Sequence, residues 1–182
     1  MANMRKIYLE TPLTDEQLKN IRVKDLVYFS GEVLTMRDQA HKRLFQMYKA
    51  RKKLPVDLKN KVIYYCGPTP PSGKRVIGSC GPTTSERMDE YTYFMIDRGV
   101  KAFIGKGERR KDLVEYFRKH HAVYFLAVGG AGSYYAQRVL SQGPVCFKDL
   151  GPEAIYRLTV KDFPLVSAID SQGRYVYAKK VD

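Results

Sequence analysis

The amino-acid sequence predicts an α/β domain. Short apolar, β-branched runs alternate with stretches of helical periodicity, and glycine-rich links join the two kinds. Its 182 residues, 44% hydrophobic and 28% charged, have the size and make-up of one globular domain spanning 1–182. A chain this long can bury roughly 70% of its unfolded surface, so a core is possible without disulfides or metal.

The elements follow in order. Residues 4–12, MRKIYLETP, read as a strand running into a turn. Thr14-Asp15-Glu16-Gln17 is a capping box, which starts a short helix ending near Asn20. Residues 23–36 read as two strands around a turn or bulge at Ser30-Gly31. From 38 to 53, Ala40, Leu44, Met47 and Tyr48 follow helical spacing. Residues 61–67 form a buried strand, the GPTPPSG loop follows, and 76–80 form a second short strand. A helix over 83–97 ends at Gly99. A strand over 101–104, a helix over 111–119, a strand over 122–128, a tight turn over 129–132 and a helix over 133–141 come next. Residues 145–147, 165–169 and 175–177 read as strands, the last two as a hairpin around Ser171-Gln172-Gly173. Pro55 marks a joint between the first segment and the rest.

Charge is the unusual quantity. There are 32 Lys and Arg against 19 Asp and Glu, net +13, with 14 tyrosines. The excess is spread along the chain and forms no basic tail. Its densest run, Lys49-Ala50-Arg51-Lys52-Lys53, closes a helix, where cations complement the dipole. A basic RNA-binding or scaffold protein is therefore an alternative class, although no RNP motif, helix-turn-helix or zinc finger is present. The three cysteines, Cys66, Cys80 and Cys146, make no C-x-x-C pair, and only three histidines accompany them. That excludes a zinc ribbon and a thioredoxin motif and leaves no metal site expected on this chain. The N-terminal stretch has no apolar h-region, and no run approaches 18 apolar residues, so a cytoplasmic protein with no membrane contact is expected.

The loops carry the chemistry. Cys66-Gly67-Pro68-Thr69 and Cys80-Gly81-Pro82-Thr83 repeat a tetrapeptide, each after an apolar run, and the C-terminal ends of strands are where α/β folds place ligands. Thr83 and Glu86 fit a second capping box, so the helix start offers free N–H groups to an anion. Arg87 lies one turn on, and a guanidinium binds a carboxylate through two hydrogen bonds. This segment alone is equally compatible with a plain cap and a surface charge. Gly105-Lys106-Gly107 exposes an ammonium on a flexible turn. Arg37 and His41 lie four apart at a strand-to-helix junction and would share a face. Gly129-Gly130-Ala131-Gly132 misses the dinucleotide fingerprint because Tyr135 stands at the third glycine position. There is no P-loop, nucleophile elbow or H-E-x-x-H.

Taken together, residues 35–43 (TMRDQAHKR), GPTPPSGK (67–74), GSCGPTTSERMDEY (78–91), IGKG (104–107) and GGAG (129–132) resemble the β-subunit of class I, iron–sulfur-dependent fumarase and the closely similar β-subunit of L(+)-tartrate dehydratase. The resemblance runs in order over nearly the whole chain. It implies a three-layer β/β/α swivelling domain of mixed sheets with Gly/Pro-rich active-site loops. It implies reversible hydration of fumarate to L-malate, or alternatively dehydration of tartrate to oxaloacetate. A [4Fe–4S] cluster would act as Lewis acid and be bound by the cysteines of a partner α-subunit, not by this chain, which would be inactive alone. Carried over, Arg37 and Arg87 resemble the carboxylate binders, Thr83 the base at C3, Lys106 the active-site lysine, and Thr84 and Ser72 residues lining the site. A dimer of heterodimers is the implied assembly.

Overall fold

The computed structural model describes residues 4–71 and 73–178. Seven strands run in the order β1-β2-β3-β4-β5-β7-β6, with an added β2–β7 pairing. They are β1 (Lys6–Glu10), β2 (Leu26–Thr35), β3 (Val62–Tyr64), β4 (Ala102–Gly105), β5 (Val123–Leu126), β6 (Val139–Cys146) and β7 (Ile155–Ile169). β1 to β5 pair parallel, while β7 runs antiparallel to β2, β5 and β6. The β7–β2 pairing closes β2, β3, β4, β5 and β7 into a ring, leaving β1 and β6 outside it.

Strand alternation sorts the apolar side chains to two sides. Val62, Tyr64, Ala102, Ile104, Val123 and Phe125 face one core, shared with Phe29, Leu158 and Phe163. Their neighbours Ile63, Tyr65, Phe103 and Tyr124 face a second core against the helices α2 (Asp38–Lys49), α3 (Asp89–Asp97) and α4 (Lys111–Lys119). Those helices supply Ala40, Leu44, Phe94, Met95, Leu113 and Phe117. Both strand faces are covered, which is why these strands read as continuous apolar runs rather than alternating ones.

α1 (Asp15–Asn20) starts as the sequence indicates: Gln17 N–H donates to Thr14 Oγ1 at 3.2 Å and Thr14 N–H to Gln17 Oε1 at 2.8 Å. Residues 26–35 form one strand, not two. The irregularity expected at Ser30-Gly31 is a register shift against β7, and Gly31 sits at φ +109° with Thr11 Oγ1 where a Cβ would stand. α2 stops at Lys49 because Arg51 turns left-handed at φ 54° and Lys52 N–H closes back on Met47 O.

Other expectations are corrected. Residues 76–80 are loop; Ile77 and Cys80 are apolar because they plug the inner core, and the backbone of Gly78 and Ser79 pairs with Thr69 and Pro70 instead. The helix expected over 83–97 is a bridge residue, Thr84, then a 3-10 turn over Ser85–Met88, then α3. The helix expected over 133–141 is only α5 (Gly132–Ala136), and β6 begins at Val139. β7 starts ten residues before the expected 165. Tyr175 makes a single bridge to Ile169, not a strand. Pro55 separates nothing in the sheet, since β2 before it pairs with β3 and β7 after it. No helix among the described residues is long and apolar enough to cross a membrane.

Candidate functional site

Four parallel strands, β2 to β5, end on the same edge, and the loops that follow them carry the residues of interest. Arg37 follows β2 and stands at the N-cap of α2. The chain after β3 leads to Gly67, where a Cβ would come 2.9 Å from Arg37 Cδ, so the arginine stem lies flat on that glycine. Glu153, at the end of a 3-10 segment, approaches Arg37 at 3.6 Å and accepts from Gln39 N–H at 2.9 Å. It therefore occupies a free N–H in the first turn of α2.

Asp38 joins the two arginines. Its carboxylate lies 3.9 Å from Arg37 Nε and 3.4 Å from Arg87 Nε. Arg87 is half-exposed in the 3-10 turn. In that turn i and i+3 eclipse, so the α-helical spacing assumed for Thr83 and Arg87 does not apply.

Thr83 is not the cap. Its N–H donates to Tyr65 O at 2.7 Å, which fastens it to the end of β3, and the N-cap position falls to Thr84 with no side-chain cap bond. The expected Thr83–Glu86 capping box is absent because a bridge to Lys106 holds Thr84 extended. Ser85 N–H donates to Lys106 O at 3.0 Å, and Lys106 N–H donates to Ser85 Oγ at 3.1 Å. At Gly105 a Cβ would meet Ser85 Oγ at 1.9 Å, so only glycine lets these segments touch. The Lys106 stem reaches toward Gly129. Gly132, in the turn after β5, packs so closely on Gly81 that a Cβ there would come 2.9 Å from Gly81 N. Cys80 N–H donates to Gly132 O across the same contact.

Arg37, Thr83, Thr84, Arg87 and Lys106 are thus linked into one edge by Asp38 and the Ser85–Lys106 pair. Ser72 lies outside the described residues. Sequence reasoning missed Asp38, Glu153 and Ser85. The first two carry charges that look like ordinary surface residues, and Ser85 matters through one backbone contact with no sequence signature.

Behind the edge lies a buried ion pair. Arg109 is fully buried and donates from Nε to Asp89 Oδ1 at 2.6 Å and from Nη2 to Thr92 Oγ1 at 2.8 Å. Burial alone would pull its pKa down, but the Tyr65 phenol and Asp89 outweigh this and push it up. Its guanidinium lies 4.9 Å from the Tyr124 ring centroid. Tyr124 O–H reaches Ser85 Oγ at 2.9 Å, so this network abuts the Lys106 anchor. His41 turns into the core, not alongside Arg37. Its Nδ1 is 2.9 Å from Arg37 O, and burial lowers its pKa to about 4. It is neutral at pH 7, so the Arg37–His41 face expected from spacing carries one cation, not two.

An iron–sulfur cluster is held by three or four cysteine thiolates gathered in one place. The three thiols here do not gather in that way. Burial pushes Cys66 well up, Cys80 to about 12 and Cys146 to about 11. Among the described residues no three His, Cys, Asp or Glu gather to hold a metal.

A model of the Fumarase C-terminus family matches residues 1–180. The chain belongs to this family. Among its members, a Methanocaldococcus jannaschii protein provisionally named L(+)-tartrate dehydratase subunit beta is 38% identical over 176 residues, 93% of this chain and 90% of that one. L(+)-tartrate dehydratase subunit beta of Escherichia coli K12 is 35% identical over 181 residues, covering 97% and 88%. Fumarate hydratase class I, anaerobic, of the same organism is 31% identical over 181 residues, 97% of this chain but 33% of that one. This Fumarase C-terminus chain therefore spans most of the tartrate dehydratase subunits and about a third of the single-chain fumarase. Relatives on both branches are hydro-lyases by name, and the family is a lyase family.

Proposed function

We propose that this chain is the β-subunit of a two-subunit iron–sulfur hydro-lyase that hydrates fumarate reversibly to L-malate. The observation that carries the reading is that Arg37 and Arg87 share Asp38 while Thr83, fastened to Tyr65 O, and Lys106, bridged to Thr84, lie on loops at the same edge of the sheet. Fumarate is a dianion, and two guanidiniums and an ammonium can hold its two carboxylates. Thr83 Oγ1 is the group at which the C3 proton is moved, and Thr84 lines the site beside it. A threonine hydroxyl is a weak base at its ordinary pKa, so a neighbouring group must activate it.

The site is open on one side. The Arg87 side chain is 51% exposed and Thr84 is exposed. Cations in water hold an anion weakly, so tight binding calls for a second wall that excludes solvent. In this reading an α-subunit supplies that wall and holds the [4Fe–4S] cluster, the assembly is a cytoplasmic dimer of heterodimers, and the isolated chain is inactive. The ring with one core inside and one under the helices supports a single three-layer β/β/α swivelling domain.

A second substrate has its own support. The relatives matched over most of their length are tartrate dehydratase subunits, which favours tartrate-to-oxaloacetate dehydration as the alternative. The test is anaerobic co-purification with the product of an adjacent reading frame that bears three cluster-type cysteines, followed by assays with fumarate, malate and L(+)-tartrate. Activity only in the complex is expected. Full turnover by the iron-free chain alone overturns the reading.

A further inference from the structure

Arg37 and Arg87 come from segments fifty residues apart, and both approach Asp38. Two guanidiniums that close repel each other, and a half-exposed arginine left in water samples many rotamers. Arg37 has other restraints: Gly67 beneath its stem and Glu153 at 3.6 Å. Among the described residues Arg87 has one ion-pair contact, Asp38 at 3.4 Å. Asp38 Oδ2 and Arg37 Nε are both buried and lack a hydrogen-bond partner among the described residues. Their 3.9 Å separation is too long for a hydrogen bond. The carboxylate therefore restrains Arg37 by charge, without taking up its Nε–H in a hydrogen bond.

We propose that Asp38 is a positioning residue that aims Arg37 and Arg87 at one dicarboxylate; this rests on the reading above. A carboxylate inside an anion site has two opposed effects. It cancels positive charge, which weakens binding of a dianion, and it orders the arginines, which strengthens it. Orientation dominates here because, among the described residues, Asp38 is the one acid within ion-pair distance of Arg87.

The two effects predict opposite signs for Asp38→Asn, which keeps the shape and removes the charge. In the assembled enzyme, KM for the dicarboxylate is expected to rise about tenfold while kcat changes less than threefold, since Thr83 is held separately through Tyr65. The melting temperature should stay close to that of the wild type. Asp38→Ser, also compatible with a helix first turn, serves if the asparagine variant folds poorly. In the chain alone, 15N relaxation of the Arg87 Nε–H group should show an ordered side chain in the wild type and a mobile one in Asp38→Asn. An unchanged or lower KM, or an Arg87 signal equally mobile in both proteins, overturns the proposal. If the wild-type complex turns over neither fumarate nor tartrate, the functional reading fails, and the relaxation measurement still decides the role of Asp38.

Discussion

Ser85 and Lys106 exchange two hydrogen bonds, one from each backbone N–H, at 3.0 and 3.1 Å. The serine is fully buried, and its Oγ also receives Tyr124 O–H at 2.9 Å. Replacing it with alanine strands the Lys106 N–H, while Tyr124 can turn its proton to Gly107 O at 3.1 Å. One buried donor without a partner costs roughly 1–3 kcal/mol. Ser85→Ala should lower stability by that amount in urea unfolding, and turnover of the assembled enzyme should fall further than folding explains. Unchanged turnover would show that Lys106 needs no such anchor.

The glycines on either side of Lys106 should behave differently. A Cβ on Gly105 meets Ser85 Oγ at 1.9 Å and Tyr65 Cδ2 at 2.9 Å, so the strand end must move, at roughly 1–3 kcal/mol or more. A Cβ on Gly107 meets nothing within 4 Å, and its cost is the φ of +85° alone, about 1 kcal/mol. Gly105→Ala should therefore unfold at the lower temperature of the two, and it should displace Lys106, which amide chemical shifts would report. The reverse order would contradict the packing described here.

These contacts also show what the sequence can carry. The capping box of α1 and the helix over 111–119 were legible because their signals are local. β3, β4 and β5 were legible because both their faces are buried. β6 is not legible: its exposed outer positions show no period, so the sequence around its start reads as helix. The first part of β7 was hidden by a left-handed Asp162 and by Pro164, which break the alternation. Motif reading singles out Arg37, Thr83, Arg87 and Lys106, which the structure places on loops at one edge of the sheet. The acids beside the arginines reach them from far along the chain, Asp38 to Arg87 across 49 residues and Glu153 to Arg37 across 116, and no spacing rule reaches that far.

His41 gives the fold an acid dependence. Burial holds its pKa near 4 in the folded chain, against about 6.5 when unfolded. Below pH 6.5 the unfolded chain takes up a proton that the folded chain refuses, so stability is lost as pH falls from 6.5 to 4 and unaffected above that range. The loss approaches roughly 3 kcal/mol. His41→Asn can keep a donor to Arg37 O and does not titrate. The stability difference between wild type and variant should change with pH in this window and be flat above pH 7. A difference that is flat throughout would mean the imidazole is not held neutral.

The Arg109–Asp89 pair should prove costly to break and less costly to remove. Both side chains are buried, at 0% and 2% exposure. Asp89→Leu leaves a guanidinium without a counter-charge in the core, a loss of about 3–5 kcal/mol. Converting the arginine as well, in Asp89→Leu/Arg109→Met, removes the stranded charge and should recover part of that stability. Denaturant midpoints of the two singles and the double measure this directly. A double variant no more stable than the worse single would show that the pair's worth lies in packing rather than charge.

Thr83 separates folding from chemistry. A threonine that caps a helix loses about 1 kcal/mol on conversion to alanine. Thr83 caps nothing: its structural bond is the backbone N–H to Tyr65 O, which alanine keeps. Thr83→Ala should therefore unfold within about 0.5 kcal/mol of the wild type, as expected for a substitution that touches no buried feature. If its hydroxyl moves the C3 proton, turnover of the assembled enzyme should fall by about a hundredfold or more, with a smaller change in KM because the arginines remain. Thr83→Ser keeps the hydroxyl and should retain much of the activity. A Thr83→Ala enzyme with normal turnover removes Thr83 from the chemistry and leaves Arg37, Arg87 and Lys106 as a binding site only.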